Sequence, residues 1–138
     1  MVSDESDQGA MKNESAVTQA FRKHVPNHIM WRRIEDRQNL GTWDTWIGYD
    51  DRGGWIEFKH TQTKGEKPKQ RAGQAAFGFD LHKSKVRGFY VIGSKDGWVR
   101  VCSCTMIDDE WAKSLIIKEK GMTKELVYKV LDWMHVLW

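Results

Sequence analysis

The chain has little of what marks secreted, membrane-bound or fibrous proteins. Its 138 residues include two cysteines, Cys102 and Cys104, too few for a disulfide framework. They lie two apart on a strand-like segment, a spacing too strained to bridge readily, so a reducing cytoplasm is the expected setting. No apolar run approaches the ~18 residues of a membrane span, and the acidic opening at residues 1–9 does not have the pattern of a signal peptide. No internal repeat is present. The length suits one domain, because two would each be too small to bury a separate core.

Charge of one sign is scarce overall, with 22 Lys and Arg against 19 Asp and Glu. Its distribution is uneven. Asp4, Glu5 and Asp7 occupy residues 1–9 with no base among them, and residues 1–11 read as a disordered acidic tail. Residues 12–138 form the expected single domain. Within residues 59–87, eight bases (Lys59, Lys64, Lys67, Lys69, Arg71, Lys83, Lys85 and Arg87) stand against Glu66 and Asp80. Such a stretch is either a surface for a polyanion or a solubilising face. The eight tryptophans are a heavy load for this length and belong mostly in the core.

Helical periodicity begins at Asn13, with Val17, Ala20, Phe21 and His24 on one side and Asn13 as the cap. Pro26-Asn27 stops it, and residues 29–31 make a short strand. Residues 45–49 and 55–59 are strands joined by a glycine-bearing connection, the pattern of a hairpin with a bulge. Pro68 is placed to open a helix running to about Lys83, despite Gly73 and Gly78. Residues 88–93 and 98–102 read as strands. A capping box at residues 105–108 precedes an expected helix over 110–118, and Thr123 caps a last helix in which Val127, Val130, Leu131 and Met134 share a face. This order gives an α/β or α+β fold, a central mixed β-sheet flanked by helices.

Glu57 and Lys59 stand two apart on a strand and so project from one sheet face, with Ile56 and Phe58 on the other. Antiparallel pairing can bring Asp44 near Glu57. Two carboxylates beside an ammonium suit a hard divalent cation and a phosphate substrate, with the lysine stabilising charge that develops at phosphorus. The plainer alternative is a surface hairpin with a cross-strand ion pair. His60 can touch a phosphate or sit as a strand-end histidine; Cys102 and Cys104 read as a core and a surface thiol.

The segment Gly41-Thr42-Trp43-Asp44 followed by Trp55-Ile56-Glu57-Phe58-Lys59 resembles the Asp…Glu-x-Lys signature of the PD-(D/E)XK nuclease superfamily. Trp43 stands where the usual proline would precede the aspartate. Glu14 lies where many of these nucleases carry a further metal-binding glutamate. Gln74 follows the Glu-x-Lys strand, as a glutamine does in the VRR-NUC and Holliday-junction-resolvase branches.

The resemblance implies a restriction-endonuclease-like core and a Mg²⁺-dependent DNA endonuclease, with Mn²⁺ able to substitute and no small-molecule cofactor. Asp44, Glu57 and the Phe58 backbone carbonyl would hold metal and Lys59 would be catalytic. Glu14 and Gln74 would support them, Glu14 as a further ligand. Lys64, Lys67, Lys69 and Arg71 would meet the DNA backbone, with Arg32, Arg33 and Arg37 as the other candidate path. The resemblance also implies structure-selective cleavage of branched or junction DNA in recombination or repair, a homodimer with the apolar segment 133–138 as candidate interface, and a phage or mobile-element origin (hence a host cytoplasm). The competing expectation is a non-catalytic DNA-binding protein on a nuclease-like fold.

Overall fold

The computed structural model describes residues 10–34, 41–105, 107–108, 110 and 111–138. Most of the expected acidic tail, Arg37 and part of the segment read as a capping box lie outside the described residues. Met11, assigned to the tail by its polar surroundings, is buried in the core beside Val17 and Gly93.

The first helix, α1 (Glu14–Arg22), forms where the periodicity places it, because the Asn13 side chain accepts the Ala16 N–H at 2.9 Å and satisfies one free donor of the first turn. Six strands follow in one sheet: β1 (Met30–Arg33), β2 (Thr45–Tyr49), β3 (Arg52–Thr61), β4 (Arg87–Ser94), β5 (Trp98–Ser103) and β6 (Ile117–Lys120). Their spatial order matches their chain order, and β3–β4 is the parallel pair, while every other pairing is antiparallel. The crossover between β3 and β4 carries α2 (Gln74–Lys83), as a parallel connection requires. The chain ends with α3 (Lys124–Trp133), started by the Thr123 hydroxyl accepting the Leu126 N–H. Among the described residues the fold is α+β, a six-stranded mixed sheet flanked by three α-helices.

Strand alternation sorts the side chains onto two covered faces. Ile56, Phe58, Val91, Val99 and Val101 pack with Val17 and Phe21 of α1 and with Leu126, Val127, Val130 and Leu131 of α3. Burying each such side chain contributes roughly 1.5–3 kcal/mol. The other face holds Trp43, Tyr90, Ile92 and Cys102 beneath Leu81 of α2 and Trp111. Both cysteines are buried, so Cys104 is not the surface thiol expected; burial pushes both thiols up, Cys102 to about 12, which leaves them unreactive.

Three local readings are corrected. The β2–β3 hairpin pairs Tyr49 with Arg52 and continues in unbroken register to Thr45 and Ile56, so it has a two-residue turn and no bulge. The expected helix over 110–118 is a single 3₁₀ turn, Trp111–Ser114, followed by β6. Ile117 there is buried against β5, and the edge carries Lys118 and Lys120, which discourage further strand addition. The second helix starts at Gln74 rather than near Pro68, because Gly73 takes a left-handed φ of +83°. Only glycine fits there easily, and Gly41 lies against it so closely that a Cβ on Gly41 would stand 2.5 Å from the Gly73 carbonyl carbon.

Both long helices flanking the sheet end with the same device. Lys85 and His135 occupy the left-handed position after α2 and α3, at φ +57° and +61°. In each, the next N–H reaches back to the helix, Val86 to the Leu81 carbonyl and Val136 to the Leu131 carbonyl. This is the Schellman closure, which normally takes glycine.

The apolar end of the chain is mostly spent on this core. Met134, Val136 and Leu137 are buried, leaving Trp138 as the large exposed side chain of the segment read as a candidate interface. No helix among the described residues is long and apolar enough to cross a membrane.

Candidate functional site

The hairpin register that pairs Thr45 with Ile56 sets Asp44, one residue beyond, opposite Glu57. Strand alternation then places Asp44, Glu57 and Lys59 on one sheet face. This face is not solvent: Glu57 is fully buried and Lys59 nearly so, at 0% and 6% exposure. The surface-hairpin alternative is therefore excluded. A buried carboxylate and a buried ammonium are costly unless other groups compensate them.

Gln74 supplies most of that compensation. It is fully buried at the first turn of α2, held by the glycine contact behind it and by the Trp43 indole N–H, which donates to its backbone carbonyl at 3.2 Å. Its side-chain amide nitrogen donates to Glu57 Oε2 at 2.9 Å. Its amide oxygen accepts from Lys59 Nζ at 2.5 Å and from the Arg71 backbone N–H at 2.8 Å. Two donors on one end fix which end is oxygen. Lys59 Nζ and the Arg71 guanidinium also lie 3.6 and 3.7 Å from Glu57 Oε2.

All of these partners converge on one carboxylate oxygen. Glu57 Oε1 is buried and has no hydrogen-bond partner. Burial, with the negative charges of Asp44 and Glu14 adding to it, pushes the Glu57 carboxyl up to about 7, against the opposing pull of Lys59 and Arg71. Burial likewise lowers the Lys59 ammonium, although Glu57 and Glu14 hold it up. Glu14, at the surface end of α1, is raised by its crowded surroundings and by Asp44, with Lys59 opposing.

Asp44 is partly exposed. Its Oδ1 accepts from Thr45 Oγ1 at 2.9 Å, and its Oδ2 is 3.9 Å from the Arg33 guanidinium. A groove of about 360 Å³ opens beside this cluster, lined by Glu14, Lys59, His60, Lys69 and Arg71 among others. It lies at the carboxyl end of β3, beside the parallel pair, where open sheets with crossover helices usually bind ligands.

Thus Glu14, Asp44, Glu57, Lys59, Gln74, Lys69 and Arg71 gather at one end of the sheet. Lys64 does not line the groove: its ammonium sits 4.3 Å over the Trp98 ring. Lys67 is exposed on the same loop. His60 donates to or accepts nothing from the groove's carboxylates; its Nε2 is bonded to the Met11 carbonyl. Trp43 and Arg100 were not read as site residues, and Arg33, beside Asp44, was read only as part of the other candidate DNA path. Arg100 is fully buried on the Glu57 face of β5 and binds the Lys64 and Glu66 carbonyls at 2.7 and 2.9 Å and the Thr61 hydroxyl. It therefore anchors the basic loop to the sheet. A lone arginine inside a strand was its only sequence signal.

A divalent cation fits this donor set on one direct observation, the unpartnered buried Glu57 oxygen. A hard cation takes carboxylate oxygens, and this one lacks any other partner. Among the described residues, no three carboxylate, imidazole or thiol side chains are already drawn together at metal-ligand spacing. No protein-family model matches this chain, and no curated protein matches it.

Proposed function

We propose that this chain belongs among the PD-(D/E)XK nucleases and is a Mg²⁺-dependent DNA endonuclease, selective for branched or junction DNA in recombination or repair. The observation that carries the reading is the buried Glu57 carboxylate. One oxygen is saturated by Gln74, Lys59 and Arg71, and the other is buried with no partner. Burial of an ionisable group with half its lone pairs unused is a cost that a fold has little reason to carry without a ligand.

Asp44, Glu57 and the Phe58 backbone carbonyl would hold the cation, with Glu14 at the groove rim. Mg²⁺, or Mn²⁺ in its place, supplies Lewis acidity toward the phosphoryl oxygens. Lys59, fixed by Gln74, places a positive charge where negative charge develops as water attacks phosphorus. Its short tether to a buried amide means that little reorganisation is needed at that moment. Lys69 and Arg71 line the groove and would neutralise phosphates on either side of the scissile bond. A homodimer would present two such sites to a symmetric junction.

Incubation of the protein with supercoiled plasmid and with junction, flap and linear duplex DNA, in Mg²⁺ or EDTA, tests this reading. Cleavage that needs Mg²⁺ and is fastest on branched substrates is expected. Binding without cleavage in Mg²⁺ and in Mn²⁺ would favour the non-catalytic DNA-binding protein instead.

A further inference from the structure

The chain enters the described fold at the rim of the basic groove. Met11 is buried, and a Cβ on Gly93 would stand 2.6 Å from its sulfur, so the glycine leaves room for the thioether. The Met11 carbonyl accepts from His60 Nε2 at 2.5 Å, and His60 is the partner of Gly93 in the β3–β4 register. Three residues after Met11, Glu14 opens α1. His60 and Glu14 both line the groove beside the buried site, as do Lys59, Lys69 and Arg71. Residues 11–14 therefore run along one rim of that groove, held by the burial of Met11 at one end and by the Asn13 cap at the other. Ala10, one Cα step of about 3.8 Å further back, is exposed.

What precedes Ala10 is acidic. Residues 1–9 carry Asp4, Glu5 and Asp7 and no basic side chain. Asp7 stands four residues before Met11 and Asp4 seven, so they reach at most about 13 Å and about 23 Å from that anchor. Within this reach the groove holds cations that the fold leaves largely to solvent. Lys69 is exposed, and Arg71 has 58% of its side chain exposed. The carboxylate nearest Arg71, Glu57 at 3.7 Å, is shared with Lys59 and Gln74. Of the acids on the rim, Glu66 is turned to the Gln62 N–H at 2.9 Å.

We propose that the acidic segment 1–9 docks in this groove in DNA-free protein, its carboxylates standing on Lys69 and Arg71 where phosphates would otherwise sit. A free peptide with three carboxylates would hold such a surface weakly, because exposed ion pairs contribute little. The covalent tether makes the contact intramolecular, at an effective concentration on the order of mM, and that favours this occupant over other acidic chains. Docking there lowers the affinity of any DNA that uses the groove. The contact itself does not need the nuclease reading; the competition with DNA rests on it.

A nitroxide on Ser6→Cys in the full chain reports the contact, since Cys102 and Cys104 are both buried and leave the new thiol as the accessible one. The reference carries the same label with Asp4→Asn, Glu5→Gln and Asp7→Asn. Paramagnetic broadening of the Lys69 and Arg71 amides should be stronger with the acidic segment than with the neutral one. It should be relieved at about 1 M salt, where the Debye length is about 3 Å. Equal broadening in the two proteins, or broadening indifferent to salt, would overturn the docked segment whatever the protein does to DNA. Binding of a short labelled duplex is then followed in EDTA. The neutral segment should tighten it by about tenfold at low salt, the worth of three exposed ion pairs. In a Lys69→Gln/Arg71→Gln background the gain should disappear. A gain that persists there is an effect of net charge alone and counts against the proposal. Charge-dependent broadening with no DNA binding by any variant would support the docked segment and overturn the nuclease reading.

Discussion

Glu57→Gln should make the metal-free protein more stable at alkaline pH while removing its response to Mg²⁺. Glu57 is fully buried, and its carboxyl is pushed from 4.5 to about 7. The folded chain therefore holds this proton more tightly than the unfolded chain does. The stability it contributes is intact below pH 4.5 and is lost as pH rises through 7. A rise from 4.5 to about 7 corresponds to about 3 kcal/mol at pH 8. Glutamine stays neutral throughout and keeps a carbonyl oxygen for the Gln74 amide. It cannot balance Lys59 and Arg71, so about 3 kcal/mol is an upper bound for its gain. For a chain of this length that is at most ~10 °C in melting temperature. Thermal melts in EDTA from pH 5 to 8 measure it. The two proteins should converge at the acid end and separate as pH rises. With Mg²⁺ at about 100 times its Kd, wild type at pH 8 should gain about 2.7 kcal/mol and the variant nothing. Parallel pH curves for the two proteins would refute the account of Glu57 as a carboxylate held against its preference.

Lys59→Ala should cut DNA about 10²–10³-fold more slowly in single-turnover assays while still binding Mg²⁺, and Lys59→Arg should not restore the rate, because the flat guanidinium cannot occupy the same point. Near wild-type cleavage by the alanine variant would reduce Lys59 to a structural partner of Gln74. Gln74→Ala leaves Glu57 Oε2 and Lys59 Nζ short of a partner, so urea unfolding should show a loss of about 1–3 kcal/mol, with a lower cleavage rate in the folded protein. Unchanged stability would mean that water replaces the amide fully. Neutralising Lys69 and Arg71 together should lower the salt slope of duplex binding by about 1.8, whereas neutralising Lys64, held over Trp98, should lower it less; equal effects would move the DNA path toward the outer loop.

Much of this architecture is legible in the chain. Asn13 and Thr123 announce their helices, because side-chain caps are local. The strands around Glu57 and Val91 announce themselves by alternation and by unbroken apolar runs. Register did the rest for the site: a two-residue turn at Asp50-Asp51 sets Asp44 across from Glu57. The segment 110–118 misleads because its residues are good helix formers, and only the edge of β5, reached through long-range pairing, makes Ile117 a strand residue. Gln74 was placed on the right helix but not at its first turn, since the contact between Gly41 and Gly73 joins segments more than thirty residues apart. The burial of Glu57, Lys59 and Arg100 has no local signature at all. Charged residues inside apolar strands are readable as unusual, but whether water or a second layer covers them depends on where α2 lands.

The most direct measurement is single-turnover cleavage of a four-way junction in Mg²⁺ by wild type and Glu57→Gln, with binding to the same junction followed in parallel. A metal-binding Glu57 predicts metal-dependent cleavage by wild type, none by the variant, and comparable binding by both, since the glutamine keeps the fold and the basic groove. Equal cleavage by the two proteins, or none by either, would contradict it.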